Sequence, residues 1–215
     1  MKLYGFNGAA SLAPHLVLEE LGLAYEWVAL DSSRGDHKQA DYLALNPLGR
    51  VPTLVDGDLV LTESAAICLH ACDRYGNGRL LPALGTPERA HLYQWMMFLT
   101  NTLQPAFLNF FYPERCLPDG MDASPVVEKA KAVLAGHFQY LNQYLQGRDC
   151  MVGDNLSAAD FFAFMLIRWG RHLEPPAVHL THLGRLVERI SALDSVKRVM
   201  AQEQIPYPFA LKPGA

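Results

Sequence analysis

What the chain lacks narrows its class first. No segment approaches the ~18 consecutive apolar residues of a membrane-spanning helix, so no membrane partner is expected. No block of like charges forms a basic arm or an acidic tail. Lys and Arg number 18 against 22 Asp and Glu, a formal net charge of −4. The basic excess of most nucleic-acid-binding faces is missing, and no nucleic-acid partner is expected. Met1-Lys2-Leu3-Tyr4-Gly5 leads straight into structured sequence, so no secretory signal is expected. Cysteines are few: Cys68, Cys72, Cys116 and Cys150 form neither a C-x-x-C pair nor a zinc spacing. All four read as small buried hydrophobes in a reducing, cytoplasmic setting. His172, His179 and His182 have no acid or cysteine at ligand spacing; they read as surface residues, and no metal is expected.

The 215 residues are 50% hydrophobic, enough for one large domain or two smaller ones. The first third alternates in type. Lys2 to Phe6 reads as a strand, Ser11 to Leu21 as an amphipathic helix closed by Gly22, and Tyr25 to Leu30 as a second strand. The polar stretch Asp31 to Asp41 reads as a loop into a short helix. Asp56-Gly57-Asp58 between two apolar runs signals a hairpin. Glu63-Ser64 opens a helix to about Tyr75, ended by Gly76-Asn77-Gly78. The order β-α-β-α-β-β-α is an α/β arrangement.

Gly and Pro accumulate from Gly76 to Gly85, and the chain beyond reads as all-helical. Boundaries fall at 1–78, a linker 79–85, and 86–215. Thr86-Pro87-Glu88 is a helix start, and Pro105 is expected to bend or end that helix. Ser124-Pro125 starts the next, and Gly147 stops it. Ser157-Ala158-Ala159-Asp160 has the form of a capping box with the shorter acid, flanked by Leu156 and Phe161 at staple spacing.

Chemistry concentrates in Asn46-Pro47-Leu48-Gly49-Arg50-Val51-Pro52 and Glu63-Ser64. A proline just before a strand removes one ladder N–H, which leaves the Val51 backbone able to pair with a ligand. A helix start at Glu63-Ser64 offers free N–H groups to a carboxylate. Together these could hold a peptide; taken singly, they also read as a turn and an ordinary helix cap.

These motifs, with Asp56-Gly57-Asp58-Leu59 and Leu61-Thr62, closely resemble the glutathione-binding half of cytosolic glutathione transferases. Gly35-Asp36-His37-Lys38 resembles the loop of the phi class. Met1-Lys2-Leu3-Tyr4 with Ser11-Leu12-Ala13-Pro14-His15 resembles the bacterial beta class, and Gly153 to Asp160 resembles the signature of the family's helical domain. The resemblance implies a thioredoxin-like N-terminal domain (α/β) and an all-α helical-bundle C-terminal domain. It implies glutathione as cosubstrate and a homodimer. Val51 would pair with the cysteinyl backbone next to a cis Pro52, Glu63 and Ser64 would hold the γ-glutamyl end, and His37 and Lys38 would sit near the glycyl carboxylate.

One departure matters. Where the beta class carries a cysteine this chain has Ala10, and no cysteine precedes Cys68. Chemistry through a protein thiol at this position is excluded, and the resemblance to the phi class points to Ser11 as the catalytic residue. A free thiol titrates near ~8.5, and a shift of roughly two units corresponds to about 2.7 kcal/mol. One hydrogen bond to a charged group gives about 1.5–3 kcal/mol, and a helix start adds ~0.3–1 kcal/mol. One hydroxyl therefore suffices with little to spare. Ser11 as a plain helix cap, and Tyr4 or the backbone N–H groups around Ala9 and Ala10 as alternative donors, remain open. Phe107, Phe110, Phe111, Tyr112 and Trp169 read either as core or as a pocket for a small hydrophobic electrophile. The expected function is attack of a glutathione thiolate on that electrophile. The alternatives are glutathione-dependent lyase, isomerase or reductase chemistry, or ligand binding without turnover.

Overall fold

The computed structural model describes residues 1–206. Four short strands, β1 (Lys2–Gly5), β2 (Glu26–Ala29), β3 (Thr53–Asp56) and β4 (Leu59–Thr62), form one sheet in the order β2-β1-β3-β4. Helix α1 (Leu12–Glu20) returns the chain across the sheet, so β1 and β2 are parallel. The β3–β4 hairpin closes on Gly57 at φ +61°, a conformation that favours glycine. Tyr4 pairs with Thr53, and Thr53 with Thr62. That register brings the end of β1, the start of β3 and the end of β4 to one end of the sheet.

Helices α2 (Ala40–Leu45) and α3 (Ser64–Tyr75) complete the first unit. Leu3 and Leu54 from the sheet meet Leu12 and Leu16 of α1 and Ile67 of α3 in a core closed to solvent. Residues Leu12 to Leu18 are all buried. A helix apolar on every side must be covered on every side, and α1 packs against α3 and against two helices of the second unit, α7 (Ala158–Trp169) and α9 (Asp194–Gln202).

The rest of the second unit is α4 (Pro87–Phe98), α5 (Gln104–Phe111), α6 (Ser124–Tyr144) and α8 (Thr181–Ser191). Thr86 Oγ1 caps α4 by accepting from Arg89 N at 3.2 Å. Pro105 does not end the long helix. The chain passes from α4 through a π-helical stretch, Leu99–Leu103, into α5. The looser bonding of a π turn shifts the register ahead of a residue that has no N–H to give.

α7 is the central helix, buried from Ala158 to Arg168. Its capping box is formed: Asp160 Oδ2 accepts from the Ser157 N–H at 2.7 Å and from its hydroxyl at 2.7 Å. Asp160 Oδ1 also accepts from Met151 N at 2.7 Å. The segment read as a linker is strapped down: Leu80 and Leu81 are buried, and Leu80 O accepts from Ala158 N at 2.9 Å.

Two surface expectations are corrected. Cys116 is exposed while Cys68, Cys72 and Cys150 are buried, because Cys116 falls on a turn beyond α5 rather than on a core face. His179 and His182 are half-buried against the segment before α8, and only His172 is exposed. Among the described residues no helix is long and apolar enough to cross a membrane, and no group of His, Cys, Asp and Glu has a metal-binding arrangement.

Candidate functional site

The register of the sheet assembles the site. One residue beyond the Thr53–Thr62 pair lie Pro52 and Glu63, so Val51-Pro52 and Glu63-Ser64 are neighbours across the hairpin. The Val51–Pro52 bond is cis. Its approach loop is tied internally. Asn46 Nδ2 donates to Arg50 O at 2.7 Å, and the Tyr42 hydroxyl donates to the same carbonyl at 2.6 Å. Gly49 adopts φ +56°, and a Cβ there would meet His37 O at 2.9 Å. With Arg50 O occupied and the loop fixed, the Val51 N–H and C=O have no partner among the described residues.

Glu63 is exposed and adopts φ +69°, a left-handed conformation that costs a non-glycine residue of order 1–3 kcal/mol. Ser64, the first residue of α3, is buried. The strained Glu63 backbone turns the chain so that the free N–H groups of α3 open at the end of the sheet. His37 and Lys38 lie in a short 3-10 turn beside this loop. The His37 ring sits edge-on to Phe6, with ring centroids 5.2 Å apart, and its buried Nδ1 has no partner. Lys38 Nζ donates to Gly49 O at 3.0 Å, so its ammonium steadies the loop as well as offering charge. All six predicted binding residues therefore gather at one end of the sheet.

Ser11 sits in the loop after β1 but faces inward. It is fully buried, and its hydroxyl donates to Phe6 O at 2.9 Å. It makes no side-chain cap either. The inward turn follows from Gly5, where a Cβ would meet Ser11 Oγ at 2.4 Å; only glycine admits the hydroxyl there. Ala9 N also donates to Phe6 O, at 3.2 Å, while the N–H groups of Ala10 and Ser11 have no partner among the described residues. Tyr4 packs on Tyr42 with ring centroids 5.8 Å apart, away from this loop's free donors.

Sequence reasoning missed what holds this loop. Gly8 N donates to Glu203 Oε2 at 2.6 Å, and Gly8 O accepts from Trp169 Nε1 at 2.9 Å and Arg168 Nη1 at 3.3 Å. Glu203 Oε1 bonds His15 Nδ1 at 2.7 Å, with both side chains fully buried. The His15 ring stacks on Trp27 at 4.4 Å. Residues some 160 to 195 positions away in sequence thus fix the loop from the second unit. No local pattern signals such pairs; a polar His15 on an otherwise apolar helix face is the one visible clue.

The aromatic cluster divides. Phe107 is core, whereas Phe111 and Tyr112 are exposed and Phe110 and Trp169 half-buried. Trp169 touches Gly8 on one side and Phe111 on the other, at 6.3 Å between centroids. The aromatic wall therefore adjoins the loop after β1. Burial pushes the Cys68 thiol up, and Cys72 to about 12, so neither is a nucleophile near neutral pH.

Comparison with known proteins bears on this geometry. The model for the glutathione S-transferase N-terminal domain matches residues 1–72, and that for the C-terminal domain matches residues 95–194. A glutathione S-transferase of Xanthomonas campestris pv. campestris, GST-4.5, is 31% identical, covering 94% of this chain and 98% of its own. The chain belongs to the glutathione S-transferase family. A glutathione S-transferase from Xylella fastidiosa superposes with a TM-score of 0.86 at 29% identity, over 95% of this chain and 99% of that one. A sphingomonad glutathione S-transferase complexed with glutathione gives a TM-score of 0.82 at 30% identity, over 96% of this chain and all of the other (100%). The sheet and its helices are a thioredoxin-like unit, followed by the family's helical unit.

Proposed function

We propose that this glutathione S-transferase family member binds glutathione at the end of its sheet and stabilises the thiolate for attack on an electrophilic carbon. The observation that carries the proposal is the convergence of a cis Val51-Pro52 having an unpaired backbone with the open start of α3 at Ser64. An extended peptide pairs with the first through its main chain, and its α-carboxylate suits the second. His37 and Lys38 supply a polar, cationic end for the other carboxylate.

The thiolate would meet the unpartnered N–H groups of Ala10 and Ser11, where the start of α1 favours negative charge. The Ser11 hydroxyl then serves by fixing Phe6 O and the loop. Direct donation from Ser11 is the second reading. It is favoured by the double occupancy of Phe6 O, since the Ala9 N–H would still satisfy that carbonyl if the hydroxyl turned.

The electrophile would lie against Phe110, Phe111, Tyr112 and Trp169. A homodimer, the commonest closed oligomer, fits the exposed apolar side chains Tyr93 and Met97 of α4 and Tyr140 of α6, the last lying against Trp95 and Phe98. Four free cysteines suit a reducing, cytoplasmic setting.

Two measurements test the proposal together. Calorimetry should show glutathione binding at or below millimolar concentration, weakened in Ser64→Ala by about 1–3 kcal/mol. 1-Chloro-2,4-dinitrobenzene with glutathione should be turned over above the uncatalysed rate. Binding without turnover of any electrophile would leave a ligand-binding role, and absence of binding would end the proposal.

A further inference from the structure

Positive charge gathers beside the aromatic wall, and among the described residues none of its three arginines makes an ion pair. Arg168 is 8% exposed, and its guanidinium lies against Gly8, where a Cβ would meet Nη1 at 2.8 Å. Its one hydrogen bond among the described residues is the 3.3 Å contact to Gly8 O. The buried Nε has no partner. A guanidinium carries five donors, and a buried one ordinarily meets a carboxylate; among the described residues no acid lies within ion-pair distance of Arg168. Arg171, half-buried, gives Nη1 to the Arg168 carbonyl at 2.9 Å and likewise has no acidic partner among the described residues. Exposed His172 stands edge-on to Phe111 at 5.9 Å. Arg115 lies 3.9 Å over the Tyr112 ring, again with no ion pair among the described residues.

These groups feel one another. Burial and then the Arg171 charge hold Arg168 down to about 10, and burial followed by the two arginines lowers His172. Glu203 acts the other way on Arg168, but its carboxylate is committed to Gly8 N and His15. Arg115 thus covers Tyr112, His172 meets Phe111, Arg168 shares the Gly8 carbonyl with Trp169, and Arg171 is tied to the Arg168 carbonyl at the end of the same helix.

We propose that the acceptor cleft selects an aromatic electrophile that carries a negative charge, such as a carboxylate, with the ring against Phe111 and Trp169 and the anion facing Arg171. The proposal rests on the transferase reading above and names its substrate class. Unpaired arginines beside aromatic rings are matched by an aryl anion in both shape and charge, and arginine meets a carboxylate with two parallel hydrogen bonds. The chemistry balances. The thiol proton leaves to solvent, and the thiolate sulfur forms a bond to the ring carbon bearing the halide. The addition complex holds the extra electron pair in the ring and its nitro groups. The delocalised pair then returns to restore the aromatic ring as the carbon–halogen bond breaks, and the halide departs with that bond's electron pair. Nearby cationic donors favour the anionic complex as well as the bound anion.

The test uses a matched pair: 4-chloro-3,5-dinitrobenzoate and its methyl ester, each at saturating glutathione. Each kcat/KM is divided by the uncatalysed second-order rate constant, which removes the difference in intrinsic reactivity. The acid should exceed the ester by about 10-fold or more. Arg171→Gln should lower the acid's value by about 10-fold and the ester's by less than ~3-fold, Arg171→Lys should restore part of the preference, and circular dichroism should show both variants folded. Turnover of both substrates with a ratio near unity, or a loss in Arg171→Gln shared equally by acid and ester, would overturn the inference and leave the transferase reading standing. Turnover of 1-chloro-2,4-dinitrobenzene but of neither member of the pair would overturn this inference alone, and glutathione binding with turnover of none of the three would overturn both.

Discussion

Ser11 shows what a residue's neighbours decide. The sequence places a hydroxyl at the start of a helix near the thiol site, and the arithmetic allows one hydroxyl to suffice. The structure points that hydroxyl at Phe6 O, because Gly5 leaves room for it there. Ser11→Ala should therefore cost about 1 kcal/mol of stability and leave the pKa of bound glutathione within ~0.3 units of wild type. A rise of about 1–2 units, read from thiolate absorbance across pH, would show direct donation instead. Asp160 was more legible, since a capping box is a pattern of residues three apart; its bond to Met151 N was not, because nothing in the sequence pairs Met151 with that carboxylate. Asp160→Ala strands three buried donors and should cost about 3 kcal/mol or more. That is ~6–12 °C in melting temperature for a chain of this size. Burial raises the Asp160 carboxyl to about 6, against 3.8 unperturbed. A folded-state pKa raised above the unfolded one means that the protonated acid is the better-tolerated form, so this group's contribution falls as pH rises from about 4 to 6. The stability of wild type relative to Asp160→Asn should accordingly fall by ~1–3 kcal/mol between pH 4 and pH 7, as denaturant titrations at both ends would show.

At the scale of elements, the strands and helices were readable from local signals. The Asp56-Gly57-Asp58 turn, the Thr86-Pro87 start and the Gly22 stop each act within a few residues, and each element falls where expected. Pro105 was not resolved, because a π-helical stretch is an adjustment to packing rather than a sequence motif. That the six candidate binding residues would lie together was legible through the hairpin register and the family's motif. The support beneath the loop after β1 was not, since α7 and the residues following α9 reach it from the far end of the chain. Glu203→Ala removes the acceptor of Gly8 N and of His15 together. It should cost about 3–5 kcal/mol in a denaturation curve and lower kcat more than it changes glutathione affinity. Equal stability with unchanged kcat would show that the loop holds its shape without the second unit.

The whole molecule places an unpaired strand edge, a helix start and an aromatic wall around one loop, and both units are needed to do so. The proposed homodimer belongs to the same scale: light scattering at micromolar concentration should give twice the 23.9 kDa chain mass, and a monomer would contradict it. The central claim is that this loop makes glutathione a better nucleophile than it is in water. A pH titration of thiolate absorbance with the wild-type protein saturated in glutathione tests that claim most directly. The account predicts an apparent thiol pKa about 1–2 units below the ~8.5 of a free thiol; a titration indistinguishable from that of free glutathione, with binding confirmed by calorimetry, would contradict it.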